Sequence, residues 1–289
     1  MSIVMSKVWF VTGSSRGLGR ALVEGALAAG DRVVSTARNP AQLDDLAARY
    51  GERILPLALD VTDGDQAQEA VQEAVKTFGR LDVVVNNAGY SDVASVEDVT
   101  PADFRAQVDT NFYGVVNVTK AVIPVLREQG SGHVFQVSSL GGRIGSPGLS
   151  AYQSAKWAVG GFSTVLAQEV APFGIKITVL EPGGMRTDWA GSSMTIPPLS
   201  DPYRPTVGAF VDMIRNPDPE AMAAMGARSA DPARIAEIVR DLAGREDAPL
   251  RLLLGQDAVQ YAHAAAQQLA DSDAAWRATS ESANELAST

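Results

Sequence analysis

At 289 residues, 46% of them hydrophobic and 20% charged, the chain is long enough to bury a sizeable core without covalent staples. It has no cysteine and only two histidines, which excludes disulfides, thiolate catalysis and cysteine metal sites and makes a histidine cluster or a serine–histidine triad a poor candidate. A formal charge of −10 argues against a nucleic-acid backbone or an anionic membrane surface as the partner, because both select Lys and Arg.

Met1 to Lys7 lacks a basic region followed by a clean apolar run, and no stretch approaches the ~18 uncharged apolar residues of a membrane span, so a cytoplasmic protein is expected. Beyond it, short β-branched runs alternate with longer amphipathic ones. The runs Val8–Thr12, Arg32–Ala37, Arg53–Leu59, Leu81–Asn86, His133–Ser138, Ile175–Glu181 and Leu250–Leu254 read as seven buried strands. Helices are expected over Gly17–Ala29, Asp65–Phe78 and Ala102–Gln129, each followed by a glycine, with Thr100-Pro101-Ala102-Asp103 supplying the cap of the third. Ser150 followed by Gln153 has the form of a capping box ahead of a helix from Ala151 to Val170, which Pro172 and Gly174 end. His133 opens a strand and His263 lies in a late alanine-rich helix, and both read as structural.

This alternation implies a parallel sheet with helices on both faces. A closed eight-stranded barrel shares it, and periodicity does not separate the two. The glycines do. Directly after the first strand comes Thr12-Gly13-Ser14-Ser15-Arg16-Gly17-Leu18-Gly19, where a tight turn brings backbone amides and a helix N-terminus to a pyrophosphate. No repeat or low-complexity tract is present, and the compositional shift between about Gly183 and Asp231 reads as an excursion from one domain. The expected organisation is a core over 1–182, a substrate-binding excursion over 183–230, and a last helix and strand with a helical extension over 231–289.

One triplet suggests chemistry. Ser139 is followed thirteen positions on by Tyr152 and then by Lys156. Four residues apart on a helix, Tyr152 and Lys156 share a face, and an ammonium beside a phenol is expected to lower its pKa toward the range useful for proton transfer.

Taken together and in this order, Thr12-Gly13-x-x-x-Gly17-x-Gly19, Asn86-Asn87-Ala88-Gly89, Asn111, Ser139, Tyr152-x-x-x-Lys156 and Pro182-Gly183 resemble the classical short-chain dehydrogenase/reductase family. The likeness spans residues 8 to about 188. It implies a single-domain Rossmann fold, a doubly wound α/β sheet of seven parallel strands. It also implies Tyr152 as general acid in carbonyl reduction or base in alcohol oxidation. Ser139 would orient the substrate, Lys156 would lower the tyrosine pKa and hold the nicotinamide ribose, and Asn111 would kink its helix and carry a water-linked proton relay. Ser138 is the alternative serine, disfavoured by spacing. Cofactor contacts are implied for Gly13, Ser15, Arg16, Gly17, Leu18 and Gly19, for Asp60 and Val61, and for Asn87, Ala88 and Gly89. Tyr152, Lys156, Pro182, Gly183 and Thr187 complete that set, while Glu181 stands where many relatives have asparagine.

The choice of cofactor follows from charge. An NAD enzyme places a carboxylate at the end of the second strand, but here Ala37 stands at that position and Arg38 follows it, with Arg16 in the glycine turn. NADP(H) is therefore expected in preference to NAD(H). Five of the seven methionines fall between Met185 and Met225, among Trp189, Ile196, Leu199, Tyr203, Phe210 and Ile214. They either line a pocket for an apolar carbonyl or alcohol or only pack lid helices onto the body. Two other classes share these motifs: a non-catalytic NADP(H)-binding redox-sensing module, and an epimerase or dehydratase-type relative. The extension from Asp257 to Thr289 departs from the short family ending, which puts the family's usual tetramer in doubt; a homo-oligomer, dimer or tetramer, and a monomer all stay open.

Overall fold

The computed structural model describes residues 6–187, 194–216 and 229–284. The strands are β1 Val8–Val11, β2 Arg32–Ala37, β3 Ile54–Ala58, β4 Val83–Asn86, β5 Gly132–Val137, β6 Ile175–Pro182 and β7 Arg251–Leu254. All pair in parallel in the order β3-β2-β1-β4-β5-β6-β7, so the sheet is open and doubly wound rather than a barrel.

Alternate residues of each strand feed two cores, which is why the strands read as unbroken apolar runs. Trp9, Val11, Val83, Val85, Phe135 and Val137 pack on one face against α1 (Gly17–Ala28), α2 (Asp44–Tyr50) and a later helix over Pro232–Leu242. Val8, Phe10, Val84, Val134 and Ile177 pack on the other against α3 (Gly64–Phe78) and two longer helices over Gly114–Gln129 and Ser150–Val170.

The helix expected over Ala102–Gln129 is three segments. α4 (Pro101–Val108) is capped by Thr100, which accepts from the Asp103 amide at 3.1 Å. A π-helical turn follows over Asp109–Tyr113, and α5 (Gly114–Gln129) continues to Gly130. The cause is Asn111, whose side-chain Nδ2 donates to the Gln107 carbonyl four residues back, at 2.9 Å, where a regular helix would place a backbone amide. The capping box expected at Ser150 also does not form. Helix α6 (Ser150–Val170) begins at Ser150 itself, with Leu149 in the cap position, and Gln153 accepts from the Ser146 amide at 2.7 Å instead.

Helix α7 (Ala209–Arg215) lies in the excursion, whose two ends are clasped by a parallel bridge between Met185 and Ala230 and by an Arg186–Asp231 ion pair at 2.7 Å. Helix α8 (Pro232–Leu242) returns the chain to the first core. Helix α9 (Gln256–Glu281) buries Ala258 and Ala262 against Leu140 and then leaves the body, with Leu269 63% and Trp276 65% exposed.

His133 is structural, as read. Its ring stacks on Phe135 at 3.9 Å, and Nε2 donates to Thr178 Oγ1, whose own hydroxyl donates to the Pro249 carbonyl. Burial first, then Lys176 and Lys7, push its pKa down to about 3. Because the folded value lies below the unfolded one, the unfolded chain binds the extra proton, and stability falls as pH drops from about 6.5 toward 3. Urea unfolding at pH 7 and pH 5 is expected to show wild type losing about 2 kcal/mol more than His133→Asn. Equal losses would remove the histidine from the acid response.

Candidate active site

The carboxyl ends of β1, β4, β5 and β6 meet where the strand order reverses, the position at which open α/β sheets bind ligands. At the end of β1, Gly13 has φ +64° and lies so close to β4 that an added Cβ would sit 2.7 Å from Ala88 Cα. A Cβ at Gly19 would overlap the Gly13 carbonyl oxygen and Asn87 Nδ2. Asn87 Nδ2 donates to the Thr12 and Gly13 carbonyls at 2.9 and 3.0 Å, and Thr12 Oγ1 accepts from the amides of Asn87 and Ala88. The turn is thus braced from β4, and α1 starts directly behind it. Such a cradle, small, closely approached and fronting a helix N-terminus, fits a dinucleotide pyrophosphate.

Ser14 is a working part that the sequence motif leaves as an unspecified position, and Thr12, quoted there only as the motif's first residue, proves to be the brace. Ser14 is fully buried, and its hydroxyl reaches the carbonyls of Val11 and Thr36 at 3.0 Å, tying the turn to β2. The signal available was position, a hydroxyl at the strand end. Ser15 is half-buried, while Arg16 and Arg38 are exposed, and Arg38 lies near enough to Tyr90 to bear on its phenol. Leu18 and Val61 are core residues, so a ligand would meet only their backbone. Asp60 closes a local turn, accepting from Thr62 N and Oγ1 at 3.0 and 2.8 Å. Thr187 comes from the far side of the cleft to Gly17, where a Cβ would lie 3.6 Å from Thr187 Cγ2. Pro182 and Gly183 end β6 beside it, and Gly184 N donates to Asp257 Oδ2 at 2.7 Å, which pins this segment to the first turn of α9.

Helix α6 brings Tyr152 and Lys156 to the end of β5. Ser139 hydrogen-bonds Tyr152, and its hydroxyl oxygen accepts from the Gly141 amide at 3.0 Å. Ser138 has a different task, donating to the Lys156 carbonyl at 3.0 Å, so the two adjacent serines are distinguished by their partners. Lys156 is buried, donates from Nζ to the Val137 carbonyl at 2.8 Å, and holds Nζ 5.7 Å from the Tyr152 ring centre. Asn111 is anchored through Nδ2 to the Tyr90 and Gln107 carbonyls, while its buried Oδ1 has no hydrogen-bond partner among the described residues. That oxygen and Lys156 Nζ face each other across Gly89, where a Cβ would lie 2.5 and 3.5 Å from them.

The expected direction of the tyrosine pKa is reversed. Burial raises the Tyr152 phenol, only partly offset by its bond to Ser139, and the same burial lowers Lys156 to about 8. Desolvation disfavours both charged forms, and at this separation it outweighs the attraction between them.

On the substrate side, Met194, Ile196, Leu199, Tyr203, Phe210 and Ile214 pack with Val93, Leu149, Val207 and Val211 into a small core of their own. The side chains from Met194 to Ile214 named first are partly buried, each with a face against this core. Trp189, Met222 and Met225 lie outside the described residues. The excursion is fastened down by Asp92, whose Oδ1 accepts from the Thr195 amide at 2.7 Å, and by Val93 N donating to the Thr195 carbonyl.

Fold and site define a Rossmann-type, nucleotide-binding oxidoreductase. Residues 7–195 match the short chain dehydrogenase family model, and the chain belongs to that family. Oxidoreductase BOA17 of Botryotinia fuckeliana (strain B05.10) is 61% identical over 274 residues, 94% of this chain and 97% of that one. A solved short-chain dehydrogenase from Streptomyces avermitilis is 37% identical, with a TM-score of 0.88 over 96% of this chain and 100% of its own. ElxO with NADP bound is 26% identical, with a TM-score of 0.72 over 86% of this chain and 97% of its own. The 3-ketoacyl-(acyl-carrier-protein) reductase from Brucella melitensis complexed with NADH is 27% identical, with a TM-score of 0.70 over 86% and 96%. A nicotinamide cofactor therefore suits this cleft, and both forms occur among its structural neighbours.

Proposed function

We propose that the protein is an NADP-dependent oxidoreductase acting between an apolar or aromatic carbonyl and its alcohol, with Tyr152 as the general acid/base. The observation that carries this reading is the Ser139–Tyr152 hydrogen bond at the sheet edge with buried Lys156 behind it. The nicotinamide, when bound, supplies or takes the hydride. The protein's own residues supply position and a proton. Ser139 holds the substrate oxygen beside Tyr152. A phenol whose pKa burial raises is proton-loaded at neutral pH and donates to that oxygen as negative charge develops. Lys156 then stands as the cation beside the phenolate, and the open acceptor of Asn111 Oδ1 supports a water linking it onward.

Arg38 and Arg16 hold the site for a 2′-phosphate, with Ala37 leaving no carboxylate to repel it. The chain is read as one domain, with 1–182 as core, 183–230 as the substrate excursion and 231–289 completing the sheet. It is further read as a cytoplasmic dimer or tetramer acting on small molecules, and among the described residues no helix is long and apolar enough to cross a membrane.

The test follows NADPH and NADH consumption across a panel of apolar ketones, in wild type and in Arg38→Asp. Wild type is expected to turn over with NADPH and prefer it, and the variant to lose at least about tenfold of that preference, the size of one charge-assisted contact. Inactivity across the panel sinks the enzymatic reading, and equal affinity for the two cofactors in wild type sinks the NADP assignment.

A further inference from the structure

Glu181 is a carboxylate with no exposure at all, one residue before Pro182-Gly183. It lies on the same side of β6 as Ile175 and Ile177, the side covered by α6. A lone buried carboxylate would be strongly destabilising, and two guanidiniums offset it. Oε1 accepts from Arg251 Nε at 3.0 Å, and Oε2 accepts from Arg143 Nε at 2.9 Å, each reinforced by a second bond from Nη2.

One arginine suffices to neutralise one carboxylate, and the two are placed differently. Arg251 belongs to the sheet, opposite Val179 on β7, and its guanidinium lies across α6 at Gly160. Arg143 belongs to the turn that Ser139 opens. Ser139 caps the short 3-10 turn Leu140–Gly142, and Arg143 N donates to the Leu140 carbonyl at 2.8 Å. Just before the turn, Ser138 N donates to the Leu180 carbonyl at 2.9 Å. Ser139 is thus held between two ties to β6, Ser138–Leu180 on one side and Arg143–Glu181 on the other.

We propose that Glu181 and Arg143 form a positioning clamp that sets the Ser139 hydroxyl against Tyr152, while Arg251 holds the other carboxylate oxygen from the sheet side. The proposal rests on the reading of Ser139 as the residue that orients the substrate. The clamp acts through the turn that carries Ser139, so the expected effect is on the geometry of the reacting groups.

The experiment compares Arg143→Leu with Arg251→Leu. Both break half of the Glu181 network, and both are expected to lower the melting temperature. Arg143→Leu is expected to lower kcat about 10- to 100-fold, the loss that follows an ångström-scale misplacement, with NADPH affinity unchanged. Arg251→Leu is expected to keep kcat within about threefold, since it leaves the tie to the turn in place. Arg143→Lys is expected to recover part of the loss. Equal kcat losses in the two leucine variants, or an unimpaired Arg143→Leu, would overturn the clamp.

Amide hydrogen exchange over Gly141–Ile144 gives a readout independent of turnover. It is expected to quicken in Arg143→Leu and not in Arg251→Leu, and the same rates in both would overturn the clamp even for a chain with no activity. Wild-type inactivity, by contrast, would count against the functional reading alone. Should Arg143→Leu fail to fold, Arg143→Lys against Arg251→Lys decides by the same two measurements.

Discussion

Tyr152→Phe is expected to lower kcat by about 10² to 10⁴-fold while leaving NADPH binding intact. Phenylalanine keeps the ring and removes the one hydroxyl that Ser139 engages at the end of β5. The glycine turn and Asn87 that would carry the dinucleotide are tied among β1, β4 and β2, and the β6 terminus is tied to β7 and α9, so none of them is held through Tyr152. Fluorescence titration with NADPH and single-turnover measurement with an active ketone separate the two effects. A variant that retains kcat within tenfold removes the proton donor from the proposal, and one that loses NADPH affinity in parallel shows the tyrosine acting through binding instead.

Lys156→Met is expected to produce two effects of opposite sign, loss of turnover and gain of stability. The ammonium is buried with one hydrogen bond, to the Val137 carbonyl, and its pKa falls from 10.5 to about 8 through burial. At about 1.4 kcal/mol per unit, keeping it charged at pH 7 costs the fold about 3 kcal/mol. The folded value lies below the unfolded one, so the unfolded chain holds the extra proton between pH 8 and 10.5, and wild-type stability rises across that window. Methionine removes the charge but strands the Val137 carbonyl, which returns about 1 kcal/mol. Urea unfolding at pH 7 should therefore find the variant about 2 kcal/mol more stable than wild type, with the gap closing toward pH 10. A variant less stable at pH 7 would mean the lysine is better solvated than its burial implies.

Much of this site was legible because its parts obey local rules. Each strand end and each glycine stop is a short-range feature, and the seven strands fall within two residues of expectation at either end. Gly13, Gly19 and Asn87 announce a turn by residue type alone. Long-range partners do not announce themselves. Glu181 was visible as an oddity, but Arg143 and Arg251 are 38 and 70 residues away from it, and nothing in either stretch marks a carboxylate partner. The tyrosine pKa failed for a related reason. A four-residue spacing shows that the ammonium is near, and says nothing of how much water has been removed from both groups. The methionine-rich excursion was ambiguous because a pocket lining and a small core draw on the same side chains, and only contacts separate them.

The π-helical turn at Asp109–Tyr113 has a consequence for phase. A π turn takes up one residue more than the α-helix around it, so the apolar stripes of α4 and α5 are written in two registers offset by about 100°. A reader assuming one helix averages the two and sees a blurred pattern. For the chain, the extra residue acts like a frameshift suppressor. It lets Asn111 turn its side-chain oxygen toward Lys156 while Val118 and Val122 downstream still pack with the strands. Insertions and deletions in this helix are therefore not equivalent along its length. One residue removed within the turn would restore a regular helix and its downstream stripe, and the same removal in α5 would rotate every following core residue out of place.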